Sequence, residues 1–138
     1  MKKLLAALCT VVLIGCTSAQ VPQAMKVASP ASVTPASIVG TWKVDLRPTP
    51  DAAPYFQAFV VTSVDGKRFE GTFYGTPISQ GRINTDWGTI RIAFVTEDGS
   101  GPYNHSAVLT GDRLEGLSNS TGRDFLSYWS ATKNSTSN

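Results

Sequence analysis

Few side chains here have types and spacings that suggest chemistry. His105 is the only histidine, and the only thiols are Cys9 and Cys16. A general base needs an oriented partner, and the sequence offers His105 none at a recognisable spacing. No serine sits in a nucleophile elbow, and no glycine-rich phosphate loop occurs. Residues 38–133 hold neither a second histidine nor a thiol, so no metal site is expected, and no cofactor is implied. The expectation is a protein that binds and does not catalyse. The binding candidates are aromatics around a cation: Phe73, Phe94, Tyr103 and Phe125, with Tyr55, Phe56, His105 and Arg123. An aromatic cup holding an arginine suits an apolar or amphiphilic ligand with an anionic end. The same rings could instead be a filled core, and both readings stand.

The elements that must position these residues are strands. From Ile38 to Leu46, Gly40, Trp42, Val44 and Leu46 fall on one face and Thr41, Lys43 and Asp45 on the other. That period of two marks a half-buried strand. Further strands are read at Tyr55–Val64, Arg68–Tyr74, Ile78–Ile83, Gly88–Thr96, Tyr103–Thr110, Arg113–Ser118 and Arg123–Thr132. Asp65-Gly66 and Gly111-Asp112 are tight hairpin signals. No segment keeps a helical period over three turns. Eight short strands with short links predict an all-β fold, an eight-stranded antiparallel up-and-down β-barrel. Closure would remove exposed sheet edges.

Alternate links of such a barrel share an end. Residues 48–54, 75–77, 97–102 and 119–122 should then form a loop-rich mouth, with 65–66, 84–86 and 111–112 at the opposite end. Arg123 has the parity of Phe125 and Trp129, so it is expected to point into the barrel at that mouth. With no acidic residue opposite it, a ligand's carboxylate or phosphate would satisfy it.

Charge narrows the partners. Of twelve basic residues, Lys2 and Lys3 belong to the N-terminal leader, leaving ten against ten acidic. No basic run follows a phosphate backbone, so nucleic acid is not an expected partner. Residues 1–15 read as a signal peptide: Lys2-Lys3, then an apolar run too short to span a bilayer permanently. Residues 16–37, with Pro22, Pro30 and Pro35, read as a flexible linker, 38–133 as the barrel domain and 134–138 as a disordered tail.

Leu13-Ile14-Gly15-Cys16 resembles the lipobox of bacterial lipoproteins. The resemblance implies that Cys16 is lipidated with acyl chains such as palmitate and becomes the first residue after cleavage. Thr17 in place of aspartate implies, by the same resemblance, an outer-membrane location facing the periplasm. An ordinary signal peptide cut after Ala19 is the alternative. Either way no disulfide staples the domain.

Gly40-Thr41-Trp42, opening the first of eight strands, resembles the start of the calycin superfamily: lipocalins, fatty-acid-binding proteins and avidins. That likeness implies that Trp42 plugs one barrel end and that a cation near the last strand's end, here Lys133, packs over it. It also implies a small apolar or amphiphilic ligand at the mouth. The competing expectation is a protein-interaction module, an inhibitor or assembly factor, acting through the distal loops.

Overall fold

The structure is a computed structural model, and residues 33–134 are described. The signal peptide, Cys16, the linker through residue 32 and the tail beyond residue 134 lie outside the described residues. Nine antiparallel strands follow in order: β1 (Gly40–Asp45), β2 (Phe56–Asp65), β3 (Arg68–Phe73), β4 (Thr76–Pro77), β5 (Ser79–Asn84), β6 (Arg91–Asp98), β7 (Gly101–Thr110), β8 (Arg113–Ser120) and β9 (Phe125–Lys133). The sheet runs β2-β1-β9-β8-β7-β6-β5-β3, and β2 pairs with β3. Eight strands therefore close into a barrel, with β4 as one extra short strand.

Period-two patterning sets what faces inward. Trp42 and Val44, Phe59 and Val61, Phe69 and Phe73, Ile92 and Phe94, and Trp129 and Ala131 are all buried. Aromatic rings fill the middle: Phe59 stacks on Phe94 at 5.4 Å between centroids, and Phe73 meets Trp129 at 5.2 Å. Packing of this kind adds to plain area burial. Trp129 fits because residue 116 is glycine; a Cβ there would lie 2.4 Å from the indole ring.

The ring is uneven. Its thinnest seam joins β3 to β5 through one registered pair, Arg68 and Arg82, with main-chain bonds Ile78 N–H to Gly71 O and Ile83 N–H to Lys67 O on either side. Register shifts interrupt β2 and β5 beside it, and Gln80 takes a left-handed φ of 53°. Such bulges sharpen curvature where a small barrel must turn.

Several boundaries differ from the sequence expectation. Pro35–Ile38, placed in the linker apart from Ile38, forms one 3-10 turn. Proline suits the first position of a helical turn, and the turn buries Ile38 completely. Thr76-Pro77, read as part of a turn, pairs with Thr72 and Phe73, while Tyr74 and Gly75 supply the positive φ of the hairpin. The loop read at 97–102 is mostly ladder: β6 continues to Asp98 and β7 begins at Gly101. At the opposite end, Thr85–Ile90 is longer than the turn expected at 84–86. Link length therefore does not mark the mouth cleanly. Leu46–Tyr55 and Thr121–Asp124 are the long links there.

Candidate functional site

A cavity of about 340 Å³ opens at the end of the barrel where β1 finishes and β9 begins. That lies near the lower bound of the roughly 300–1,000 Å³ usual for small-molecule sites. Its walls come from most of the ring: Leu46 and Tyr55 before β2, Phe73 on β3, Tyr103 on β7, and Phe125 and Ser127 on β9. Thr96, His105 and Ser118 lie deeper, while Glu97, Asp98 and Arg123 also line it.

The residues singled out by sequence divide by depth. Phe73 is 4% exposed and lines the cavity near its floor. Phe94 is 2% exposed and belongs to the core beneath, stacked between Phe59 and His105. It is not among the lining residues. Tyr103 is half-buried and Phe125 is exposed, so they form the rim. Phe56 turns outward, where Lys43 Nζ sits 4.6 Å from its centroid.

His105 lies at the base of the cavity, buried on β7. Its Nε2 is 2.8 Å from Thr96 Oγ1 and its Nδ1 is 2.7 Å from Ser118 Oγ. In the neutral ring one nitrogen donates and the other accepts, and hydroxyls serve either role. Phe73 and Phe94 each pack on the imidazole at 4.6 Å. Burial away from water pushes its pKa from the ordinary 6.5 down to about 4. At neutral pH the group is an uncharged, weakly basic strut spanning β6, β7 and β8. A histidine serves best as a general base when its pKa lies near the working pH and a carboxylate orients it. His105 has hydroxyl partners on both nitrogens and a pKa far below 7.

Arg123 differs from its expected placement. It belongs to a 3-10 turn, Thr121–Arg123, and Asp124 follows with a left-handed φ of 48°, so β9 begins only at Phe125. The turn breaks the parity that would have pointed Arg123 inward. Its guanidinium is exposed, bonds the Tyr103 hydroxyl and lies 5.9 Å from that ring's centroid. The Tyr103 oxygen, then the charge of Asp98, raises its pKa. Arg123 is thus a solvated rim residue with acidic groups nearby, not a buried charge awaiting an anion.

The other end is sealed. Trp42 is 2% exposed, and its Nε1–H donates to Ile38 O at 2.8 Å. Lys133 reaches over the indole, Nζ 5.6 Å from the ring, and donates to Ser37 O at 2.7 Å. Gly40 leaves room for this: a Cβ there would lie 3.1 Å from Lys133 Cε.

Thr96, Ser118 and Ser127 escaped the sequence reading, which weighed aromatics and charges. Parity could have found them: Thr96 continues the inward row of Ile92 and Phe94, and Ser118 that of Leu114 and Gly116. Among the described residues no group of three or more His, Cys, Asp or Glu side chains could hold a metal, and no helix is long and apolar enough to cross a membrane. Comparison with protein-family models, with curated proteins and with solved structures found no match.

Proposed function

We propose that this chain is a lipid-anchored envelope protein whose barrel mouth binds one small apolar or amphiphilic molecule without transforming it. The cavity carries the reading: aromatic walls around about 340 Å³, open at the end opposite the one where the described chain begins and ends. Such a pocket places an alkyl or aryl group against Phe73 with its polar end among the rim residues. The rim sets the head-group preference. Glu97 and Asp98 share it with Arg123, whose guanidinium already bonds Tyr103. This balance favours a neutral or zwitterionic head over a bare carboxylate, a change from the anion expected of an unpaired arginine.

The test uses two dansyl-labelled probes with the same undecyl chain, one a carboxylic acid and one an alcohol. Wild type is expected to bind the alcohol at least as tightly as the acid. Ser127→Phe, which puts a ring into the cavity, should weaken both by tenfold or more. Arg123→Leu should weaken only the acid. Binding of neither probe, or binding untouched by Ser127→Phe, would sink the carrier reading. The interaction-module reading would then gain, supported by the exposure of Tyr55, Tyr74 and Phe125 at the rim.

The anchor rests on Leu13-Ile14-Gly15-Cys16. Cells expressing Cys16→Ser should incorporate no labelled palmitate into the protein, whereas wild type should. Equal labelling of both would remove the lipobox.

A further inference from the structure

The closed end of the barrel carries a feature that the mouth does not explain. Trp87, in the link Thr85–Ile90, is 80% exposed, far more than the other tryptophans, Trp42 and Trp129, which are buried. A large ring held in water on a short link has no role in the core. The strands this link joins, β5 and β6, form with Lys67 from the β2–β3 turn a surface groove lined also by Arg82, Ile83, Asn84, Arg91 and Ile92. The lining holds three cations and no carboxylate.

The groove is electrostatically unfinished. Arg68 and Arg82 face each other directly across the thin β3–β5 seam. Like charges opposed in a ladder are unfavourable. Among the described residues, Arg68, Arg82 and Arg91 make no ion pair; Lys67 alone has one, with Asp86 at 2.7 Å. Asp86 is also bonded by Asn84, which fixes the start of the link that presents Trp87.

We infer that this end docks on an anionic phospholipid surface, with a phosphate-bearing head group seated between Arg82 and Arg91 and Trp87 lying at the membrane–water boundary. Indoles favour that boundary because one edge is apolar and the other polar. Lysine and arginine near a surface of anionic lipid are drawn to its negative potential. The opposite end has the reverse character. Asp45, Asp51, Glu97, Asp98 and Asp124 surround the mouth against Arg47 and Arg123. At the closed end Lys67, Arg68, Arg82, Arg91, Arg113 and Lys133 outnumber Asp65, Glu70, Asp86, Asp112 and Glu115 by one, while the mouth is net acidic. An anionic surface is therefore repelled by the mouth and met by the Arg82–Arg91 groove, which orients the barrel with its cavity outward. This inference depends neither on what fills the cavity nor on acylation of Cys16.

Because Trp42 and Trp129 are buried, Trp87 supplies the fluorescence that the neutral quencher acrylamide reaches. The full chain is mixed with vesicles of phosphatidylcholine alone or with a third of phosphatidylglycerol, and the vesicle-bound fraction is isolated by flotation. Acrylamide quenching should fall by threefold or more on the anionic vesicles and little on the neutral ones. The double variant Arg82→Ser, Arg91→Ser, with an unchanged circular dichroism spectrum, should lose that difference. Trp87→Phe should lose the quenchable component. Equal protection on both vesicle types would overturn the head-group site, and no protection on either would overturn docking altogether. Protection by soluble glycerol phosphate to the same degree would also overturn it, showing a site for a free phosphate ester.

Discussion

Replacing Trp42 with alanine should lower the unfolding free energy by about 3–5 kcal/mol, the range for removing a large buried aromatic side chain. Three contacts go at once. The indole leaves a void beneath the 3-10 turn, the Ile38 carbonyl loses its donor, and Lys133 loses the ring it covers. A domain is typically stable by only about 5–15 kcal/mol, so the variant stands close to unfolding at ambient temperature. No disulfide holds the chain together meanwhile, since both cysteines precede residue 33. Trp42→Phe separates the parts. It keeps most of the packing and loses the Nε1–H bond, for a cost nearer 1–2 kcal/mol. Urea melts of the two variants decide the matter. A loss below about 1 kcal/mol for the alanine variant would show that Trp42 does not seal the barrel.

Acid should weaken the fold through His105 before it reaches the carboxylates. The folded ring resists protonation until about pH 4, whereas an unfolded chain takes up the proton near 6.5. Between these values the unfolded state binds more protons. Stability is thus complete above pH 6.5 and falls as pH drops towards 4, by about 3 kcal/mol in all. Asp45 and Asp86, held below the usual carboxylate range by Arg47 and Lys67, keep their contributions until lower pH. The window from 6.5 to 4.5 therefore belongs to the histidine. Being the only one, it also gives a single imidazole signal in the proton spectrum, expected to titrate near pH 4. His105→Gln should flatten the stability profile across that window. A titration at 6 or above would mean a solvated imidazole and an open cavity floor.

Much of this arrangement follows from alternation alone. A strand period of two places Trp42, Phe69, Phe94 and Trp129 inward without knowledge of their neighbours, and short links force those strands into one ring. Alternation cannot say how deep an inward residue lies. Phe94 and Phe73 share parity with the mouth residues, yet Phe94 is core and Phe73 is cavity floor, because strand stagger decides height. Local backbone turns hid the rest. The 3-10 turn and left-handed Asp124 carried Arg123 out of register. Gly99-Ser100-Gly101 looks like a loose loop, but it is a tight hairpin that holds Glu97 and Asp98 in the ladder beside the mouth. Ile90 is buried with the inward parity of Ile92 and Phe94, so the expected strand began at Gly88, although β6 starts only at Arg91.

The pairing of β1 with β9 has a consequence for biosynthesis. Every other neighbouring pair in the ring is joined through a connection of ten residues or fewer. This one brings together the two ends of the described chain, and the Lys133–Ser37 bond that covers it spans 96 positions. Closing a loop of that size costs about 2 kcal/mol more than closing one a tenth as long. Of the nine strands β1 leaves the ribosome first, and its second neighbour, β9, leaves last. Until then Trp42 has no lysine above it, and one edge of β1 stays unpaired. The barrel cannot close before β9 has been translated. Until Phe125–Lys133 has been made, the other strands can pair only as a sheet left open at the β1–β9 seam.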